Sequence, residues 1–209
     1  MGDIKIGRIP LGSMGTNCYF TYRDDLKEAI VFDPGDNGEF LYDKLKENGI
    51  SIKAIFLTHG HFDHIYGIKA LKKLSGAKVY ASEAELEILR DPDKNLSGNF
   101  GRAVTVEPDE TFNDLDVFDI AGMSFQAILT PGHTSGGACF YFKEGNILIA
   151  GDTLFEGSVG RTDFPTGSMK TLVNSINSKL MVLPDNTRVY PGHGGTTTIG
   201  DERQNNPFL

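Results

Sequence analysis

The stretch Thr58-His59-Gly60-His61-Phe62-Asp63-His64 packs three imidazoles and a carboxylate into seven positions. Charged imidazoles so crowded repel one another, and neutral ones buried together need partners. A divalent cation answers both problems, because neutral imidazole nitrogens and carboxylate oxygens are the ligands that zinc, iron and manganese accept. The chain has five histidines. The two outside this stretch, His133 and His193, each close a Pro-Gly-His triplet. Every histidine therefore belongs to a feature with metal-binding character.

Each of these features follows a short apolar run. Thr58–His64 follows Ala54–Leu57, Pro131-Gly132-His133 follows Ser124–Leu129, Gly151-Asp152 follows Asn146–Ala150, and Pro191-Gly192-His193 follows Val189–Tyr190. Asp33-Pro34-Gly35 likewise follows Ala29–Phe32. Five loops thus leave strand ends carrying His or Asp, with Gly and Pro to turn the backbone sharply. If those ends share one edge, their side chains meet. In an extended loop residues two apart face the same way, so His59 and His61 can grip one ion while Asp63 and His64 turn toward a second.

Elsewhere, Ile4–Ile9, Cys18–Tyr22, Val79–Ala81, Val104–Val106, Val117–Ile120 and Ala138–Phe142 read as strands. Helical spacing predicts helices over 39–48, with Phe40, Leu41 and Leu45 inward, over 64–74, with Ile65, Ile68, Leu71 and Leu74 inward, and over 168–180. Ser82 with Glu85 three residues on reads as a capping box opening a helix over 82–90. Residues 91–103 read as a long polar loop. The order predicts two sheets packed together and flanked by helices, in one domain over 1–209 with similar halves at about 1–105 and 106–209.

Hydrophobic residues make up 39% of the 209, enough for a sizeable core. The net charge of −8 and the lack of a basic run argue against nucleic-acid binding. The N-terminal residues hold no apolar signal core and no run approaches a membrane span, so the expected compartment is the cytoplasm, with no membrane partner. Cys18 and Cys139 sit among apolar neighbours and read as buried free thiols, a disulfide remaining open.

The 58–64 stretch resembles the His-x-His-x-Asp-His signature of the metallo-β-lactamase superfamily, and His133, Asp152 and His193 occur in the order of that family's remaining ligands. The resemblance implies a four-layered αββα sandwich in the α/β class. It implies that His59, His61 and His133 bind one ion, that Asp63, His64 and His193 bind another, and that Asp152 bridges them. The implied cofactors are two divalent ions, zinc first, with iron or manganese as alternatives. Gly160-Arg-Thr-Asp-Phe-Pro165, Pro191-Gly-His-Gly-Gly195 and the tail from Thr198 to Leu209 resemble short members of the glyoxalase II (hydroxyacylglutathione hydrolase) group.

That resemblance implies hydrolysis of a small-molecule thioester such as S-lactoylglutathione, with a metal-activated hydroxide as nucleophile and Asp63 and Asp152 as catalytic carboxylates. A thioester suits a site without a strong general acid, because its thiol, with a pKa of about 8.5, departs as thiolate. Long members carry a C-terminal helical domain that contacts glutathione, whereas this chain stops at Leu209, so another acyl thioester is equally open. The rivals are an iron-dependent persulfide dioxygenase on the same scaffold and, more distantly, a non-catalytic metal-stabilised binding module. A secreted β-lactamase fits less well, since Asp63 departs from the cysteine-containing zinc sites common there.

Some residues carry two readings. Asp33 either closes its turn or orients a ligand histidine. Thr58 braces the metal loop through its hydroxyl. Arg161 either holds a substrate carboxylate or pairs with Asp163 two residues on, the pairing being slightly preferred. Phe155 and Phe164 either wall a substrate pocket or pack in the core. Oligomeric state has no signature in the sequence.

Overall fold

Strands buried on both faces build this molecule. The computed structural model describes residues 2–209. Strand β3 (Glu28–Phe32) shows why two layers form on either side of it. Ile30 and Phe32 point to one face and Ala29 and Val31 to the other, and all four are fully buried. The alternation repeats in β4 (Ser51–Phe56), with Ala54 and Phe56 against Ile55, and in β10 (Ile147–Gly151), with Ile147 and Ile149 against Leu148 and Ala150.

The first sheet has six strands in the order β1 (Ile4–Leu11), β2 (Thr16–Arg23), β3, β4, β5 (Lys78–Ser82), β6 (Glu110–Phe112). It is antiparallel through β3 and parallel from β3 to β6. The second sheet also has six strands, in the order β14 (Thr197–Thr198), β13 (Arg188–Pro191), β10, β9 (Ala138–Phe142), β8 (Met123–Leu129), β7 (Val117–Ile120). Between the sheets lies an aromatic core in which Phe32 and Phe140 have ring centroids 5.2 Å apart and Phe56 and Phe125 5.1 Å. Helices α1 (Gly38–Glu47) and α3 (Ile68–Ser75) cover the outer face of the first sheet. Helices α5 (Met169–Ser175) and α6 (Ile199–Asn205) cover that of the second. The result is the αββα sandwich of the metallo-β-lactamase fold.

Several local expectations are corrected. Phe40 and Leu74 face solvent at 48% and 42% exposure, so the buried stripes are narrower than the apolar spacing suggested. The helix expected over 64–74 is two, α2 (Phe62–Ile65) and α3, parted where Gly67 donates to the Pro34 carbonyl at 2.8 Å. Residues 104–106 join no sheet. Their backbone instead bonds Asn95, Ser97 and Leu89, and β6 takes the sheet edge. Ser82 and Glu85 form no capping box. Residues 83–85 are a 3₁₀ turn leading into α4 (Leu86–Leu89), and neither side chain caps it. The helix expected over 168–180 begins at Met169, with Ser168 as its cap, and continues beyond Ser175 as a π turn over Ile176–Leu180. Helix α6, which the sequence reading did not assign, is capped by Thr198.

Candidate metal centre

Strand direction assembles the site. β8 and β10 are each antiparallel to β9, and β10 is parallel to β13, so β8, β10 and β13 all run the same way. Their following loops therefore emerge at one end, carrying His133, Asp152 and His193. In the facing sheet β3 and β4 are parallel and deliver Asp33 and residues 58–64 to that end. Backbone bonds tie the loops together: Ala138 N–H to Thr58 O at 2.8 Å, Gly192 N–H to Gly151 O at 2.8 Å and Asn17 N–H to Gly192 O at 2.7 Å. A side chain at Gly192 would fall 2.3 Å from Asp152 Oδ1 and 2.7 Å from His64 Cε1, so only glycine lets this loop approach.

All seven expected ligands meet here, six of them in two groups that could each hold an ion: His59, His61 and His133, and Asp63, His64 and His193. Asp152 lies between them. Its Oδ1 is 3.5 Å from His64 Nε2, and its Oδ2 is 3.7 Å from both His133 Nε2 and His193 Nε2. In the second group Asp63 Oδ2 stands 3.2 Å from His193 Nε2 and accepts from the Thr16 hydroxyl at 2.9 Å.

Hydrogen bonds behind the rings set their tautomers. Thr58 donates its hydroxyl proton to Asp33 Oδ2 at 2.6 Å, so Thr58 Oγ1 accepts from His59 Nδ1–H at 3.0 Å. His64 Nδ1–H donates to Asp33 Oδ2 at 3.0 Å. His133 Nδ1–H donates to the Arg161 carbonyl at 2.7 Å. Each arrangement turns an Nε2 inward, as outer partners of ligand histidines do. His61 Nδ1 lies 3.0 Å from His133 Nε2. That gap approaches the nitrogen–nitrogen edge of a shell whose metal–nitrogen bonds are about 2.0–2.1 Å.

The donor set fits a pair of cations. His59 Nε2, His64 Nε2 and Asp152 Oδ1 are buried with no hydrogen-bond partner in the protein, and such atoms are costly unless something binds them. Asp33 with His59 and His64 forms a third cluster. Its carboxylate is already committed to Thr58 and to His64 Nδ1, which suits an orienting group rather than a ligand. Burial, helped by the other histidines, keeps His59 neutral, and burial with His133 and His64 brings His61 down to about 3. Burial also opposes charge on His64, but Asp63, Asp152 and Asp33 outweigh it and push the ring up to about 10. The bond to Asp63 raises His193.

Arg161 pairs with Asp163 through Nε at 2.8 Å and Nη2 at 2.7 Å, and its guanidinium lies 3.9 Å above the Phe164 ring. Phe155 and Phe164 both line the cavity over the centre. Cys18 and Cys139 are free and buried, and burial pushes Cys139 up to about 11, so neither offers a thiolate.

Glu85 escaped the sequence reading. It is buried and accepts from Gly60 N–H at 2.8 Å, from the Thr134 hydroxyl at 3.0 Å and from Gly136 N–H at 2.8 Å. It thereby clamps the loop between His59 and His61 to the loop after His133. Burial, only partly offset by those bonds, raises it to about 7. Its position three residues after a serine imitates a helix cap, and no local signal separates the two roles. Thr16 was missed for the same reason, since it lies far from Asp63 in sequence.

Residues 11–193 match the family model of the metallo-β-lactamase superfamily, and the chain belongs to that family. A probable metallo-hydrolase of Bacillus subtilis, YqgX, is 38% identical over 99% of this chain and 98% of its own length. The hydroxyacylglutathione hydrolase GloC of Haemophilus influenzae is 36% identical over 99% and 98%. Among solved structures, BLEG-1, a B3 metallo-β-lactamase, superposes with a TM-score of 0.93 at 40% identity, covering 98% of this chain and 99% of that one. TTHA1623, solved in a di-iron-bound form, gives 0.86 at 35% identity over 97% and 100%. ETHE1 from Myxococcus xanthus gives 0.79 at 26% identity over 97% and 83%. Among the described residues no helix is long and apolar enough to cross a membrane.

Proposed function

We propose that this protein is a metal-dependent thioester hydrolase, for which S-lactoylglutathione is the reference substrate. The observation that carries this reading is Asp152, whose two oxygens face both ligand groups at 3.5–3.7 Å. His59, His61 and His133 would hold one ion, Asp63, His64 and His193 the other, and Asp152 would span them. Two divalent ions so held lower the pKa of water toward neutrality and polarise a carbonyl.

The chain's own groups do the rest. Asp33, Thr58 and the Arg161 carbonyl keep the ring protons on the outer nitrogens. Asp63, braced by Thr16, and Asp152 present negative charge that offsets the cations. Hydrolysis joins the water oxygen to the carbonyl carbon, breaks the carbon–sulfur bond and releases the thiol as thiolate, so no strong general acid is needed. None is required of Cys18 or Cys139, which are buried away from the cavity.

GloC bears the name of such a hydrolase, and the likeness to it spans nearly both chains. The likeness to ETHE1 and to a di-iron form supports a second reading, an iron-dependent persulfide dioxygenase. Metal analysis of protein from unsupplemented cells, with a thioester and β-lactam panel and an oxygen electrode, separates them. Two ions per chain, thioester turnover and its loss on chelation are expected. One iron with oxygen uptake on glutathione persulfide would replace this reading by the second, and metal binding with no turnover of any substrate would leave only a binding module.

A further inference from the structure

The cavity above the centre measures about 430 Å³, within the range of small-molecule sites. Its floor is the metal centre. Its walls are apolar: Leu96, Phe155, Val159 and Phe164 line it, and Met14 and Phe100 reach it from two further loops. Met14 and Phe100 are 53% and 58% exposed, so core formation does not account for them. Phe100 is held at the mouth by stacking on Phe62, with ring centroids 4.2 Å apart. Loops remote in sequence thus bring exposed apolar groups to one opening, and such convergence marks a binding surface.

The charges point the same way. Among the described residues, Arg161 is the one Lys or Arg lining the cavity. Asp163 engages the Nε–Nη2 edge of its guanidinium, and the guanidinium face lies on Phe164. Beside the cavity, Phe155 and His193 also border a shallower pocket that contains the exposed carboxylate of Glu156. The two carboxylates of glutathione would find, among the described residues, one guanidinium already shared with Asp163, and the like charges of Asp163 and Glu156.

We infer that the cavity selects thioesters with an apolar acyl group, a short alkyl chain or a phenyl ring, on a thiol without carboxylates. This rests on the hydrolase reading and narrows it. Hydrophobic transfer of a buried methylene corresponds to roughly a fourfold effect, so lengthening the acyl group from two carbons to six should raise kcat/KM by up to about 200-fold.

The test compares S-acetyl-, S-hexanoyl- and S-benzoyl-N-acetylcysteamine with S-lactoylglutathione on the metal-loaded protein. Alongside it, calorimetry measures binding of two uncleavable thioethers, S-hexyl-N-acetylcysteamine and S-methylglutathione. The expected results are a hexanoyl-to-acetyl ratio above tenfold, tighter binding of the S-hexyl thioether, and a fall of at least threefold in both quantities in Phe100→Ser. Met14→Ser should do the same, and because Met14 is exposed the melting temperature of that variant should not move. S-lactoylglutathione as the best substrate, or tighter binding of S-methylglutathione, overturns the inference while leaving hydrolysis intact. No cleavage of any thioester, with the S-hexyl thioether bound and then lost in Phe100→Ser, removes the hydrolase reading and keeps the cavity's preference.

Discussion

The two candidate ligand groups are built from similar residues yet solve opposite electrostatic problems. His59, His61 and His133 are at most 3% exposed and are all imidazole, with no carboxylate of their own. His59 and His61 stay neutral because burial among crowded rings opposes their charge. Asp63, His64 and His193 are an ion-paired group in which His193 is 31% exposed and the carboxylates favour imidazolium. The first group therefore offers lone pairs ready for a cation. The second must shed protons before it can accept one.

The largest expected effects test that asymmetry directly. His133→Ala should cut turnover on the order of 10³-fold and reduce bound metal from two ions to one. His193→Ala should leave the first ion in place. Metal titration by calorimetry in two buffers of different ionisation enthalpy gives the finer measure: the first equivalent should release almost no proton and the second about one or more. Equal proton release for both ions would erase the distinction.

Asp33→Asn touches both groups at once, because Asp33 orients His64 directly and His59 through Thr58. Metal affinity at both should fall about 10- to 100-fold, read by competition with a chromogenic chelator. A loss confined to one group would mean that the Thr58 relay does not orient His59.

Glu85→Ala should act on the first group alone. It leaves the Gly60 and Gly136 N–H groups without their partner, each costing about 1–3 kcal/mol when buried. Denaturant melts should report that loss, and metal titration should report weaker binding of the first ion with the second little changed.

The smallest effect is the pH dependence of the chelated protein. His61 has a folded pKa of about 3 against an unfolded value of 6.5. Its contribution is fully present above 6.5 and is lost as the pH falls from there toward 3, because only the unfolded chain takes the proton readily. His64 has the reverse sign. With a folded pKa of about 10, its contribution is fully present below 6.5 and is lost as the pH rises through 10. Denaturation at pH 5, 6.5 and 9 should therefore show the maximum near the middle value, and His64→Gln should flatten the alkaline side.

The sequence by itself determined the candidate ligands, their order along the chain and the sandwich. Chemistry-bearing residues are rare letters at strand ends, and alternating burial in β3, β4 and β10 is written in the apolar pattern. The tertiary structure alone decided what turns those letters into two unlike groups: which nitrogen each ring presents, that Asp33 serves two histidines, that Glu85 bonds two loops instead of capping a helix, and that Phe100 and Met14 face one opening. The physical reason is that these depend on distances of a few ångströms between loops from different strands and different sheets. Spacing along a chain records which residues are available but not which partner each one reaches.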